Sequence, residues 1–450
     1  MYFKKSKFLI VGISKSGYAA CNLLISHGSS CFIYDKAPNE VSKKYINELT
    51  SRGATLVNGE NIEDVISLCD VIILSPGVPI DSEIPIIARK LRKNIIGELE
   101  LGYYFTKGVI VGITGTNGKT TTCSMIDFIL QKSGQKSFLC GNIGNPLCSC
   151  CEEIKEDDIA VVEVSSFQLE TVAKFTPHIA CVINLTPDHL SRHYNMENYV
   201  YLKSRILRNL RESEFAVLNA DDDKIKEFSQ STRGKAVYFS LSKEVDGAYL
   251  QKDEIYWRKE FIMNIKDLTL KGGHNIQNAL VAICVCKLLG IEKEIIESGL
   301  REFKGVRHRI QEVGCFNGVT CVNDSKSTNP ASTISAINTI EGPFTLLLGG
   351  QEKSGYEVLF NELKNKELLK RIVIYGQSRE KLYNQAKNVG LKNIEIITDF
   401  ERAVKVAFLG AVSGDTLLLS PACGSFDEFS GYEERGEKFI EIVNAIGNAV

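Results

Sequence analysis

Residues 108–122 read GVIVGITGTNGKTTT. Val109, Ile110, Val111 and Ile113 form a short, apolar, β-branched run, the pattern of a buried strand. Gly115, Asn117 and Gly118 break that run, and Lys119, Thr120, Thr121 and Thr122 open a helical pattern reaching about Gly134. A strand, a glycine loop and a helix that begins Lys-Thr make a cradle for phosphate. Backbone N–H groups and the helix dipole face the anion, Lys119 adds a mobile charge, and Thr120 offers a hydroxyl to Mg²⁺. The strict pattern G-x-x-x-x-G-K-[ST] is not met, because Ile113 stands where its first glycine belongs. An ordinary glycine turn is the competing reading; the strand before the loop and the glycine spacing favour phosphate.

On either side of this stretch the chain alternates strand and helix. Upstream, Phe8–Val11, Cys31–Tyr34 and Val71–Leu74 read as strands and Gly17–His27 as a helix, a βαβ pattern that implies a parallel sheet. Its first turn, residues 12–17, is G-x-S-x-x-G, with Ser14 where the dinucleotide fingerprint has its second glycine, which argues against NAD. Asp35 ends the next strand at the spacing where such folds place an acid on a ribose. Downstream, strands 138–140, 159–164 and 179–184 deliver Gly141-Asn142-Ile143-Gly144, Glu163 and Asp188-His189 to the loop side. Ligands in such sheets sit outside the carboxyl ends of the strands, so these groups should converge on the bound phosphate. A helix over 196–210 presents Lys203, a β-rich stretch covers about 235–270, and Gly272-Gly273-His274-Asn275 opens an apolar helix to Leu289. From about 305 the alternation resumes, with strand ends at Asn323-Asp324-Ser325-Lys326, Gly349-Gly350 and Ser420 to Ser425. Three α/β domains result: 1–107, 108–304 and 305–450.

A chain of 450 residues can bury sizeable cores, and a net charge of −2 gives no reason to expect nucleic acid or an acidic membrane surface as partner. Most of the 14 cysteines lie in apolar runs, as expected of reduced thiols. Cys140, Cys148, Cys150 and Cys151 lack paired C-x-x-C spacing or a histidine, which argues against a metal cluster. The N-terminal apolar run is cut short by Ser14-Lys15-Ser16, and no run approaches a membrane span. A soluble, cytoplasmic protein without membrane insertion is expected, and a monomer.

Glu163, after Val161-Val162, is a hard oxygen donor which with Thr120 suits Mg²⁺. His189, in a loop with Asn184 and Asp188, is a candidate ligand or supporting residue. Lys203 by spacing alone is a surface lysine. Arg309, after Gly305-Val306-Arg307-His308, suits phosphate oxygens, with a solvated basic run as the competing reading. Asp324, Lys326, Lys353 and Ser425 suit an amino-acid substrate.

These residues, in this order, resemble the Mur ligase family. GTNGKTT (115–121), GNIG (141–144), EVSSFQLE (163–170), DHL (188–190), GHN (273–275), HR (308–309) and NDSK (323–326) span nearly the whole chain. SPGVP (75–79), LLLGGQEKSG (346–355) and SPACGSFDEFSGYEERG (420–436) are similar to the branch that adds D-glutamate to UDP-N-acetylmuramoyl-L-alanine. The resemblance implies a Rossmann-like N-terminal domain for the UDP substrate, a central P-loop ATPase-type domain, and a Rossmann-like C-terminal domain for the amino acid. It implies ATP and Mg²⁺ and only small-molecule substrates. Carried over by position, Lys119, His189 and Lys203 are catalytic. Gly115, Thr116, Asn117, Gly118, Lys119, Thr120, Thr121, Asn142, Asn278, Arg309 and Asp324 bind ATP. Thr120, Glu163, His189 and a carbamylated Lys203 hold metal. Ser14, Lys15, Ser16, Asp35, Lys36, Pro76 and Gly77 line the UDP site, and Lys326, Thr328, Lys353, Ser425, Phe426 and Tyr432 the D-glutamate pocket. Three positions depart from the family pattern: Ser14, Ser191 in place of Asp, and Ser327 in place of Ala, the last a small change expected to be tolerated. Transfer of a different amino acid and a catalytically silent nucleotide sensor are the alternatives; Lys119, Glu163 and Lys203 speak against the sensor. The third domain is expected to swing on ATP binding.

Overall fold

The computed structural model describes residues 5–352 and 355–447. It is an α/β molecule with three sheets, divided into two compact units, one ending at Lys304 and the other beginning at Gly305.

The first sheet is wholly parallel, in the order β3–β2–β1–β4–β5, from β1 Lys7–Val11, β2 Ser30–Tyr34, β3 Thr55–Leu56, β4 Val71–Leu74 and β5 Asn94–Gly97. This is the doubly wound order, and its switch point lies between β1 and β4, where the Gly12–Gly17 turn meets Ser75-Pro76-Gly77. The second sheet comprises β6 Val109–Thr114, β7 Ser137–Gly141, β8 Ile159–Glu163, β9 Ile179–Val182, β10 Phe215–Asn219, β11 Lys235–Ser240, β12 Gly247–Gln251, β13 Glu254–Trp257 and β14 Glu260–Asn264. Its order is β14–β13–β12–β11–β10–β9–β6–β8–β7; only the β12–β13–β14 meander is antiparallel. The phosphate-loop strand β6 is central and bears no charge, as a strand buried on both faces requires.

One continuous core serves both sheets. Leu99 and Leu101, on the helix Glu98–Phe105, pack with Phe8 and Ile10 of β1 and with Leu147, Val172 and Phe175 beyond β7. Polar groups support that seam. Glu100, fully buried, accepts backbone N–H bonds from Ala173, Lys174 and Phe175 at 2.9, 2.8 and 2.9 Å. The expected boundary at 107/108 therefore falls inside one compact unit, because residues 98–105 belong to the packing of both sheets.

The second unit carries β15 Gln311–Phe316, β16 Val319–Asn323, β17 Phe344–Gly349, β18 Leu369–Tyr375, β19 Ile394–Ile396 and β20 Thr416–Leu419 in the order β15–β16–β20–β17–β18–β19. Only β15 is antiparallel. Separate apolar clusters cover its two faces. The loops after β16, β20 and β17 leave neighbouring strands side by side.

Element ends shift little from the sequence reading. The helix after the phosphate loop is Lys119–Lys132, and the one expected over 196–210 is Met196–Ser204 followed by a tight turn over Arg205–Leu207. Among the described residues no helix is long and apolar enough to cross a membrane.

Candidate active site

Gly115 and Gly118 have φ of +152° and +81°, so the loop after β6 turns through conformations that side chains resist. A Cβ on Gly118 would lie 2.3 Å from Asn278 Oδ1, which accepts from the Thr122 hydroxyl at 3.1 Å. Asn278 thus packs the helix Gly273–Leu288 against the first turn of Lys119–Lys132. Asn117 is held from the other side: its N–H donates to Asn184 Oδ1 at 2.8 Å, and Asn184 Nδ2 returns to its carbonyl at 3.2 Å. Thr116 shares a hydrogen bond with Tyr199 at 3.0 Å. Lys119 Nζ folds back onto the carbonyls of Gly115 and Thr116 at 2.9 and 2.7 Å.

Thr120 Oγ1 donates to Glu163 Oε2 at 2.7 Å, and Asn142 Nδ2 donates to Oε1 at 2.8 Å. The register explains the meeting. Glu163 ends β8, level with Ile113 of β6 and Gly141 of β7, so its carboxylate emerges between the loop and Asn142. A buried hydroxyl and carboxylate in contact, with the loop N–H groups beside them, form a donor set of the hard oxygen type that fits Mg²⁺.

Lys203 is not the surface lysine that its spacing alone suggested. It is 2% exposed, lies over the Tyr199 ring, and donates to the Gly115 carbonyl at 2.8 Å. Burial pushes its amine well below the usual lysine range, and the charge of Lys119 adds to the shift. His189 sits close by with φ +53° and a half-exposed side chain, its Nε2 3.4 Å from Asp188 Oδ2. Partial burial lowers its pKa and Asp188 opposes that.

Behind His189 lies a group that the sequence reading missed. His193 is buried, shares a hydrogen bond with Ser166 Oγ at 3.0 Å, and is held neutral, its pKa pushed down to about 4 by burial. Arg192 grips Glu170 with Nε and Nη2 at 3.1 and 2.6 Å and also donates to the Val78 carbonyl at 3.0 Å. The run DHLSRH held the signal, since His189 and His193 are four residues apart on one helical turn. The side chain of Ser191 lies outside the described residues.

At the first sheet, Asp35 accepts from the N–H groups of Ile13 at 2.7 Å and Ala37 at 3.0 Å, so it shapes the turn that carries Ser14 and Ser16. Ser14 caps the helix Lys15–Ser26 without a side-chain cap bond. Lys15 Nζ reaches the Gly144 carbonyl at 2.6 Å, joining this turn to the loop of Asn142. Ser75 Oγ donates to the Gly12 carbonyl at 2.6 Å, while Pro76 and Gly77 continue the facing turn and Lys36 is exposed.

In the second unit, Asp324 is buried and accepts from Ser420 Oγ at 2.6 Å and Ile310 N–H at 3.2 Å. Burial raises its pKa to about 6, opposed by the hydroxyls of Ser327 and Ser420 and the charge of Arg309. The extra hydroxyl of Ser327 therefore has an acceptor. Residues 307–309 are not a uniformly solvated basic run: Arg307 is exposed, whereas His308 is buried, 3.0 Å from both Glu437 Oε1 and Asn323 Nδ2. Lys326 Nζ lies 5.6 Å from the centre of the Tyr432 ring, and the Thr328 N–H turns back onto the Lys326 carbonyl at 2.9 Å. Ser425 is buried, Phe426 is exposed, and Lys353 lies outside the described residues. Arg435, which sequence reasoning passed over, is completely buried beside Ser325 and Cys423.

Comparison with known proteins identifies the family of the chain. Residues 113–286 match the Mur ligase middle domain and residues 308–423 the Mur ligase glutamate ligase domain. The chain is 39% identical over 446 residues to a UDP-N-acetylmuramoylalanine–D-glutamate ligase of Caldanaerobacter subterraneus, with 98% of this chain and 99% of that one covered. It is 38% identical over 451 residues to the protein of that name from Clostridioides difficile, with 99% of each covered. Among solved structures, UDP-N-acetylmuramate-alanine ligase of Thermotoga maritima superimposes with a TM-score of 0.60 at 19% identity, covering 98% of this chain and 100% of that one. A MurF ligase of the same organism, in complex with ADP, gives 0.58 at 18% identity and covers 99% and 96%. Those two likenesses concern the fold. The phosphate loop, the strand-end carboxylate and full-length relatives of one name agree: the chain belongs to the Mur ligase family.

Proposed function

We propose that the protein is an ATP-dependent ligase that joins D-glutamate to UDP-N-acetylmuramoyl-L-alanine, in the cytoplasm and as a monomer. Domains 1–107, 108–304 and 305–450 would receive the UDP substrate, ATP and the amino acid. The observation that carries this reading is the contact of Thr120 with Glu163 at the mouth of the phosphate loop, in a chain whose full-length relatives share that one name.

In the proposed reaction the substrate carboxylate attacks the γ-phosphorus of ATP, ADP leaves, and an acyl phosphate forms. The amine of D-glutamate then attacks the acyl carbon, and the tetrahedral adduct loses its proton and phosphate to leave an amide. Two anions must meet in the first step. The N–H groups at the start of the helix Lys119–Lys132 and the Lys119 ammonium, released from the Gly115 and Thr116 carbonyls, offset that repulsion. Mg²⁺, when bound by Thr120 and Glu163, adds Lewis-acid stabilisation of the transferring phosphoryl group. Asn142 holds the Glu163 carboxylate in place for that task. Burial disfavours the Lys203 ammonium; a carbamate formed there from the amine and CO₂, with release of one proton, would with His189 offer oxygen and nitrogen donors to a second metal ion. Asn278, Arg309 and Asp324 complete the ATP positions. Lys326, Thr328, Lys353, Ser425, Phe426 and Tyr432 form the amino-acid pocket, and Ser14, Lys15, Ser16, Asp35, Lys36, Pro76 and Gly77 the UDP site.

The test is phosphate release from ATP and Mg²⁺ with UDP-N-acetylmuramoyl-L-alanine and D-glutamate, L-glutamate, L-lysine or meso-diaminopimelate. Release with D-glutamate alone is expected. Release with another amino acid moves the substrate within the family, and ATP binding without release supports the silent sensor.

A further inference from the structure

Arg435 lies in the first turn of the helix Tyr432–Gly447 and is wholly buried, yet among the described residues no carboxylate pairs with it. Its guanidinium is engaged by neutral groups only. Nε donates to Ser325 Oγ at 3.0 Å, Nη2 to the carbonyls of Ser325 at 2.9 Å and Cys423 at 3.2 Å, and Nη1 to the carbonyls of Cys423 at 3.2 Å and Gly424 at 3.1 Å. The nearby carboxylates accept from backbone instead, Asp427 from Gln377 N–H and Glu428 from Phe400 N–H, and Glu428 meets the Arg435 charge only across a distance. Burying a charge with no carboxylate in direct contact is costly. A role in packing alone would be met by an apolar side chain or by an ion pair.

The partners of Arg435 give the reason. Its fork ties together the loops after β16 and β20, and the residues that follow its acceptors are Lys326 and Ser425. A peptide group is planar, with its N–H opposite its C=O. The Gly424 carbonyl turns toward Arg435, so the Ser425 N–H turns away from it, and the guanidinium polarises that N–H as a donor. The Ser325 hydroxyl, held by Arg435, also donates to the Tyr432 carbonyl at 2.8 Å and fixes the start of the helix.

We propose that Arg435 is the positioning residue of the amino-acid pocket: its fork aligns Lys326, Ser425 and Tyr432. This inference rests on the D-glutamate pocket proposed above. Wild type, Arg435→Lys, Arg435→Met and Ser325→Ala are compared by phosphate release, with KM taken separately for D-glutamate and ATP. Loss of the fork in Arg435→Lys raises KM for D-glutamate about tenfold, with KM for ATP changed less than about twofold. Arg435→Met removes every contact of the fork and raises KM for D-glutamate further than the lysine variant does. Ser325→Ala removes one acceptor and raises KM for D-glutamate severalfold, a milder change that covers the case of an Arg435 variant that does not fold. Equal rises in both KM values, or a fall in kcat alone, overturn the proposal. If wild type uses another amino acid, the D-glutamate reading fails and the Arg435 alignment is read on that substrate's KM. If wild type uses D-glutamate and neither Arg435→Lys nor Ser325→Ala moves its KM, Arg435 is a packing residue and the ligase reading stands.

Discussion

At the scale of single residues, burial decides what Lys203 and Glu98 do. Lys203 is a lysine whose charge the fold disfavours, beside a loop that must hold negative charge, and Lys203→Met keeps the stem while removing the amine. Its turnover falls a hundredfold or more on the scale of losing one transition-state contact. Nucleotide affinity stays close to wild type, and steady-state rates with an ADP titration check both. Glu98 is the opposite case. It accepts from the Cys148 N–H at 2.7 Å, its second oxygen is buried without a partner, and burial raises its pKa to about 7. An unfolded glutamic acid titrates lower, so between about pH 4.5 and 7 the folded chain binds the extra proton. The stability due to this group is present at low pH and is lost as pH rises toward 7. Glu98→Gln removes that loss, so above pH 7 the variant is the more stable by at most about 3 kcal/mol. Denaturation midpoints measured from pH 4.5 to 8 test this, and parallel curves for variant and wild type would refute it.

Elements transmit these effects through their glycines. Gly118→Ala forces a side chain onto φ +81° and drives Cβ against Asn278, so it strains the turn and separates the two helices that Asn278 joins. A loss of about 1–3 kcal/mol in stability accompanies weaker ADP binding, read by thermal unfolding and titration. Gly17→Ala acts at the other glycine turn, where a Cβ would lie 2.0 Å from the Gly12 carbonyl and 2.7 Å from Ser75 Oγ. The helix Lys15–Ser26 must shift, and we expect KM for the UDP substrate to rise at least tenfold, as misplacement of a binding element does, with KM for ATP little changed. Both strand–glycine–helix turns were readable in the sequence because a β-branched run, a glycine and a helix start are local signals. The length of the helix Met196–Ser204 was not, since its last turn tightens under packing by Ile206 and Leu207.

The whole molecule divides at Lys304–Gly305 into two units with their own sheets and apolar clusters. Residues 305–450 expressed alone should therefore unfold cooperatively, and in the intact chain ATP should raise the melting of the first unit more than that of the second. Saturation at a hundred times Kd corresponds to about 2.7 kcal/mol. Calorimetry of the intact chain and of the isolated piece would decide, and an unfolded piece would count against independent folding. What could be read from order along the chain was whatever depends on neighbours in sequence: the α/β alternation, the phosphate loop, the strand-end carboxylate Glu163 and the motifs that mark the family. Tertiary structure alone decided the rest. Lys203 reads as surface because a lone lysine on a helix is most often solvated, and it is buried because the helix Met196–Ser204 lies across the loop after β6. Glu100, His193 and Arg435 look like ordinary charged positions, and each is enclosed by backbone groups from segments that lie far off in sequence or, for His193, by a hydroxyl and rings. Burial and hydrogen-bond partnership are properties of packing between distant segments, and local composition carries no trace of them.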